Sequence, residues 1–320
     1  MNTATDPREV LDQSKMTIGM ITVVAITVFL NAMDGFDVLA ISFASVGIAE
    51  EWGITRLQLG FVLSAELVGM AIGSIFLGGV ADKIGRRPTL LGCLIVMASG
   101  MLLATTSTSA IILSVWRVLT GLGIGGMLSC TNATVAEFSN NKWRSLCISL
   151  MVIGYPLGGT FGGMFASYYL LANYDWRAVF YFGATMTAIL IPVVYLLVPE
   201  SVHWLARKQP DNALDKINAS MTKLGHAVIS MLPEVPAAEQ KKSSGDIFSP
   251  ALIATTLLVT AAYFFHINTF YFILKWTPKI VADMGFDASN AGMVLTWANL
   301  GGAMGGAAFG IATARFGLKP

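Results

Sequence analysis

The sequence predicts an all-α, polytopic membrane protein, and three observations carry that prediction. Hydrophobic residues make up 55% of the 320 residues, only 12% are charged, and the mean hydropathy is +0.67, whereas a soluble domain carries roughly 25% charged residues. The apolar residues fall into eight runs, at about 17–47, 57–80, 89–107, 110–136, 145–172, 177–198, 251–274 and 290–313, each near the ~20 residues that a helix needs to cross hydrocarbon. Lipid offers nothing to pair with open backbone groups, so each run is expected to be a helix. The connections are short apart from one of about 50 residues, from Pro199 to Pro250.

Taken in order, residues 1–15 are polar, and the first run is too long for a signal-peptide core, so it is expected to stay in the mature protein. Six runs then follow closely, giving a predicted six-helix bundle over 1–199. The long loop, 200–250, contains PESVHWLARKQPDNALDKINASMTKLG, read as a short amphipathic surface helix, and the linker EVPAAEQKKSSGD. The last two runs, in 251–320, begin a second bundle. Placing the N-terminus in the cytoplasm puts 15 of the 20 Lys and Arg residues on that side, the five others being Arg56, Arg117, Arg177, Lys275 and Lys279. That bias sets the expected orientation.

A formal net charge of +1 without a basic tract excludes a nucleic-acid partner. Cys93, Cys130 and Cys147 are far apart and lack CxxC or histidine company, which reads as packing thiols with no metal site. No GxSxG, HExxH or P-loop is present, so neither an enzyme nor a bound cofactor is expected.

Polar residues inside the runs are the candidate functional groups. Asp34 and Asp37 stand in NAMDGFDVLAIS of the first run, where a buried charge costs at least ~2.5 kcal/mol. On a helix they share one face, and two like charges so close oppose each other's ionisation, which describes a proton-binding site. Arg117, about seven residues inside the fourth run, is roughly 10 Å deep at 1.5 Å per residue. It needs a carboxylate, with Asp34 or Asp37 the natural partner, unless it snorkels to the interface. Glu66, mid-way along the second run, is either a second protonatable group or a partner to one. The seventh run reads YFFHINTFYFILKWTPK; its Tyr263, His266, Asn268 and Tyr271 either line a cavity for a benzenoid ring or face lipid and core. Glycines recur four apart, at 69 and 73, 121 and 125, 154, 158 and 162, and 301 and 305, as close helix packing requires.

Between the second and third runs stands GGVADKIGRRP, residues 78–88, and the fourth run holds RVLTGLGIGG from Arg117. Both resemble signatures of the major facilitator superfamily, the first from Gly79 through Asp82, Gly85, Arg86 and Arg87. The resemblance implies a cytoplasmic gate latch built from Asp82 and Arg86, with Glu137 and Arg144 as their partners. DGFD, with PESVHWL after the sixth run, resembles the aromatic acid:proton symporters more narrowly. It implies proton-coupled import of a small aromatic carboxylate across the bacterial cytoplasmic membrane, with the proton as coupling ion and Arg117 as the substrate's carboxylate ligand. Sugar, polyol or other organic-anion symport is the runner-up, and a non-transporting remnant the reading from another class. GYPLGG in the fifth run departs from the antiporter signature by carrying Tyr155, which leaves that residue to face the central cavity. Gly35 between the aspartates permits local unwinding. The superfamily has twelve helices against eight here, and GIATARFGLKP, residues 310–320, resembles a second copy of the latch with Ala314 in place of Asp82. A fragment or an early stop is therefore the expectation.

Overall fold

The computed structural model describes residues 6–233, 248–250 and 252–316, the side chains of 306, 307 and 309–316 excepted. All regular structure in these residues is helical. A short helix, α1 (Pro7–Gln13), leads into the 35-residue α2 (Ile18–Trp52), followed by α3 (Arg56–Ile84), α4 (Arg86–Ala104) and α5 (Ala110–Glu137). Next comes α6 (Arg144–Phe165), which passes through one π-helical turn, Ala166–Leu170, into α7 (Leu171–Asn173). The chain continues as α8 (Arg177–Leu197), α9 (Val202–Lys208), α10 (Ala213–Lys223), α11 (Ile253–Asp283) and α12 (Ala288–Phe316).

Seven of these, α2 to α6 with α7, α8 and α11, are long and apolar enough to cross a membrane, and α12 covers the eighth predicted run. The first and seventh runs extend furthest beyond their predicted ends. The first continues to Trp52, where Gly53 at φ 58° stops it, and the seventh runs nine residues past 274, to Asp283. Charged residues within helical stretches had trimmed both.

Glycine decides how the helices meet. A Cβ on Gly121 or Gly125 of α5 would overlap the carbonyl oxygen of Glu66 or Met70 in α3, and one on Gly69 or Gly73 would overlap that of Val118 or Leu122 in α5. The two backbones are therefore in direct contact along a seam. A second seam joins α2 and α6, where Gly158 lies on Ala32 and Gly35 on Tyr155. Gly35 is used for this approach and not for unwinding, since α2 is continuous through Asp34 and Asp37. Gly301 and Gly305 face open space, as does Gly79 in the latch loop, so these three do not form close helix contacts.

The long loop is two helices in place of the single one expected. The break falls at Gln209 (φ 44°) and Asn212 (φ 58°), either side of Pro210. The second of the two, α10, docks through buried Ile217, Met221 and Leu224. Thr17 Oγ1 at the start of α2 donates to the Leu224 carbonyl at 2.5 Å. Within the polar N-terminal stretch, Asp6 caps α1 by accepting from the Arg8 amide, and Leu11 is buried beneath it. The linker at 234–247 and the end of the latch-like copy at 317–320 lie outside the described residues, as do the side chains of that copy. Cys93, Cys130 and Cys147 are buried and free.

Candidate functional site: a buried charge cluster

The α3–α5 seam fixes the depth of two charged side chains. Gly121 rests on the backbone of Glu66, and Arg117 lies one turn before it, so the guanidinium and the carboxylate meet where both are fully buried. Arg117 Nη2 pairs with Glu66 Oε1 and also donates to the Asp37 backbone carbonyl at 2.8 Å. Its Nη1 reaches Met101 Sδ at 2.9 Å, and the group lies 5.3 Å above the centre of the Phe180 ring. Arg117 thus pairs with Glu66 and with neither aspartate carboxylate. Sequence depth could not decide among three acids on two helices; the seam register does.

The other oxygen of Glu66 holds a second cation. Lys275 Nζ of α11 is 3.0 Å from Glu66 Oε2 and donates as well to the Val38 carbonyl. The lysine is 3% exposed. Sequence reasoning placed it among outer loop charges because the seventh run was cut at 274. The signal against that was present: Trp276, Pro278, Ile280 and Val281 continue the apolar pattern past it. One carboxylate therefore bridges two cations from different helices, a charge-assisted arrangement.

Beside it, Asp34 and Asp37 are buried on one face of α2. Asp37 Oδ2 accepts from Thr187 Oγ1 of α8 at 3.2 Å, whereas Asp37 Oδ1 and both oxygens of Asp34 have no hydrogen-bond partner. A buried ionised carboxylate in that situation is costly, and taking up a proton removes the cost.

The aromatic residues expected near a substrate divide. Tyr155 and Tyr271 are half-buried against the core. Tyr263, His266 and Asn268 lie on an exposed face of α11; Asn268 donates back to the Phe264 carbonyl at 2.8 Å and His266 stacks on Phe270. The structure does not bring these three to the cluster. They occur earlier on α11 than its only described buried residues, Leu274, Lys275 and Pro278.

At one end of the helices the latch residues form a second cluster. Arg86 Nη1 is 2.7 Å from Asp82 Oδ1 and Nη2 2.8 Å from Glu137 Oε1, joining α3, α4 and α5. Arg207 of α9 is 3.4 Å from the same Asp82 oxygen. Arg144 departs from expectation: it pairs with Asp12 of α1 at 2.5 Å and with the Ala136 and Ser139 carbonyls, and not with Glu137 or Asp82. Arg87 donates to the Tyr195 carbonyl at 2.5 Å and stacks on that ring. Sequence reasoning missed Glu200, whose Oε1 accepts from the amides of Arg86 (2.8 Å), Arg87 (3.4 Å) and Ser201 (2.9 Å), so that it caps the otherwise uncapped start of α4. Gly85 sits at φ 110° against that carboxylate, where a side chain would collide. Burial pushes the Glu200 carboxyl above its ordinary range, and the amide donors partly offset it. Among the described residues no group of three or more metal-ligating side chains occurs.

Curated relatives resemble the chain over most of its length. It is 30% identical to the gallate transporter of Pseudomonas putida over 275 residues, covering 85% of this chain and 61% of that protein. It is 28% identical to the 4-hydroxybenzoate transporter of Pseudomonas putida (97% of this chain, 70% of the relative) and 26% to the benzoate transport protein of Acinetobacter baylyi (97% and 68%). The chain thus spans about two-thirds of the length of these relatives. In fold, it is similar to the E. coli xylose transporter in a partially occluded inward-open conformation, with a TM-score of 0.72 at 16% identity over 94% of this chain and 74% of that one. The family model of the Major Facilitator Superfamily matches residues 24–320. With that match over nearly the whole length, the chain belongs to the Major Facilitator Superfamily.

Proposed function

We propose that this chain serves proton-coupled import of a small aromatic carboxylate across the bacterial cytoplasmic membrane. The observation that carries the reading is the buried cluster: two cations and three acids, contributed by α2, α3, α5 and α11, deep among membrane-spanning helices. Charges are too costly there to be retained for stability alone. A cationic pair suits an anionic substrate, and acids without partners suit a proton. The three relatives, named for gallate, 4-hydroxybenzoate and benzoate, supply the substrate class. In this reading the proton is the coupling ion, no other cofactor takes part, and the surrounding medium is the lipid bilayer.

The N-terminus and the Asp82, Arg86 and Glu137 latch face the cytoplasm, as the Lys and Arg bias supports. The helices within 1–199 form one bundle and 251–320 contribute to a second, joined by the cytoplasmic 200–250 segment, and the substrate path lies between them. Asp34, Asp37 and Glu66 exchange protons; Arg117 holds the substrate carboxylate; Tyr155 and Tyr271 border its ring.

Uptake of labelled 4-hydroxybenzoate and of labelled xylose by cells producing the protein, with and without a protonophore, tests this. Protonophore-sensitive uptake of the aromatic acid alone is expected. Uptake of xylose, or accumulation of the acid that a protonophore leaves intact, overturns the reading.

A further inference from the structure

Glu66 is a single carboxylate held between two buried cations. Its two oxygens are shared between Arg117 on one side and Lys275 on the other, and all three side chains are buried. Among the described residues neither cation pairs with another carboxylate: Arg117 also meets the Asp37 carbonyl, Met101 Sδ and the Phe180 ring, and Lys275 the Val38 carbonyl. With Glu66 neutral, two buried cations would face one another across a gap sized for a carboxylate. That is an anion site.

Resting on the transport reading above, we infer that Arg117 and Lys275 form a two-cation receptor for the substrate carboxylate, that Glu66 is its internal occupant, and that proton and substrate are coupled because one carboxylate replaces the other. In the exchange a proton forms an O–H bond on a Glu66 oxygen, the two ion pairs to Glu66 are lost, and two equivalent pairs form to the incoming carboxylate. No covalent bond of the substrate changes. The charge of the site is the same before and after, so binding carries the anion and its proton as a neutral pair.

Lys275 also ties the exchange to movement. Of α11, only Leu274, Lys275 and Pro278 are buried, and its other attachments to α3 are an Arg56 to Asp283 pair at 3.0 Å, largely exposed, and Trp276 over Gly60. Releasing Lys275 from Glu66 thus removes the one buried ion pair between α11 and α3. The charged and titratable groups facing Glu66 are Arg117 from α5, Lys275 and the Tyr271 phenol from α11, Asp37 from α2 and the Tyr155 phenol from α6. Asp37 is the acid that would compete for the same proton.

The test is binding of benzoate and of neutral benzamide to the purified protein over a range of pH, with proton uptake measured in weakly buffered solution. For the native protein, benzoate affinity is expected to fall about tenfold per pH unit where Glu66 is ionised, with about one proton taken up per anion. Glu66→Gln removes the internal anion, as protonation of Glu66 would, and is expected to bind benzoate independently of pH, without proton uptake. Lys275→Met is expected to weaken benzoate about tenfold or more while leaving benzamide unchanged, and Lys275→Arg to restore much of the loss. Lys275→Met leaves Arg117 paired with Glu66 and so strands no charge, and its folding beside that of Glu66→Gln separates loss of a cation from a stranded charge. Proton uptake that persists in Glu66→Gln overturns the exchange and passes the role to Asp37 or Asp34. Unchanged benzoate affinity in Lys275→Met makes the lysine a helix clasp only. A native protein that binds neither benzoate nor 4-hydroxybenzoate overturns the transport reading itself, an outcome distinct from a native protein that binds while its variants do not respond.

Discussion

The two charge clusters of this protein use the same chemistry, an arginine between carboxylates, in opposite surroundings. At the latch, the Asp82 side chain is 58% exposed and Arg207 is 41% exposed, so ions and water compete for the Asp82 pairs, and exposed pairs of this kind contribute about 0–1 kcal/mol each, whereas the Arg86 to Glu137 pair beside them is 7% and 17% exposed. In the interior, Arg117 and Glu66 have no exposed surface at all. There the pairing offsets a large desolvation cost instead of adding net stability, and removing one partner leaves a buried charge behind. Breaking an exposed pair is cheap, whereas breaking the inner one leaves an uncompensated buried charge.

The largest effect is expected from Glu66→Ala, which strands Arg117 and Lys275 together. A loss of about 3–5 kcal/mol is expected, visible as a marked drop in the melting temperature of the detergent-solubilised protein. A variant as stable as the native protein would mean that water or a mobile side chain screens the cluster.

Arg117→Lys is expected to fold but to lose most aromatic-acid uptake, because a shorter, forkless ammonium cannot keep the contacts to the Asp37 carbonyl and Met101 while reaching a carboxylate. Near-native uptake would reassign Arg117 to structure alone. By contrast, Asp34→Asn is expected to leave stability unchanged or raised, since neither oxygen of Asp34 has a hydrogen bond to lose. The same substitution is expected to abolish accumulation against a gradient. Retained accumulation would remove Asp34 from the proton site.

Arg86→Ala sharpens the comparison from the other side. It breaks the pairs to Asp82 and Glu137, and about 1–2 kcal/mol is expected from charge-assisted bonds that are only partly screened. Moderate salt should weaken the native latch and leave the inner cluster unaltered, a difference that hydrogen exchange on α3, α4 and α9 against α5 near Arg117 would report.

The smallest effect expected concerns pH at the α1 and α9 contact. His203 Nε2 is 3.5 Å from Asp12 Oδ1, and burial holds this imidazole below its ordinary range, with the Asp12 carboxylate opposing the shift. Unfolded chain therefore takes up the proton first. The stabilising contribution is present above the ordinary histidine value of 6.5 and is lost as pH falls from there toward the folded value. Exchange of the α1 amides should accelerate over that window and become flat in His203→Gln.

Much of this was open to reading in the primary structure, and the misses have physical causes. Hydropathy finds helices well because lipid allows so few alternatives, and Arg117 announces its need for an acid by its depth. Which acid it meets was not legible, because that depends on the register of the α3–α5 seam, a property of two segments together. Lys275 was concealed because hydropathy counts a charged residue as an end, whereas a paired lysine continues a helix. The break between α9 and α10 depends on left-handed backbone at Gln209 and Asn212; Pro210 and Asn212 are turn formers that signal it, but the amphipathic spacing on either side reads as one helix. Glu200 belongs to a contact between segments more than a hundred residues apart, which spacing alone cannot reveal.

The glycine seams have a mechanical consequence. Where Gly69, Gly73, Gly121 and Gly125 place backbone directly on backbone, no rotamer lies between the two helices, and a joint without rotamers has no alternative arrangement to switch into. Helices α3 and α5 therefore behave as one spliced beam, and so do α2 and α6. Any rearrangement is forced onto joints made of side chains, and the principal buried one to α11 is the ammonium of Lys275. A rigid lever with one soft fulcrum responds to whatever acts at the fulcrum.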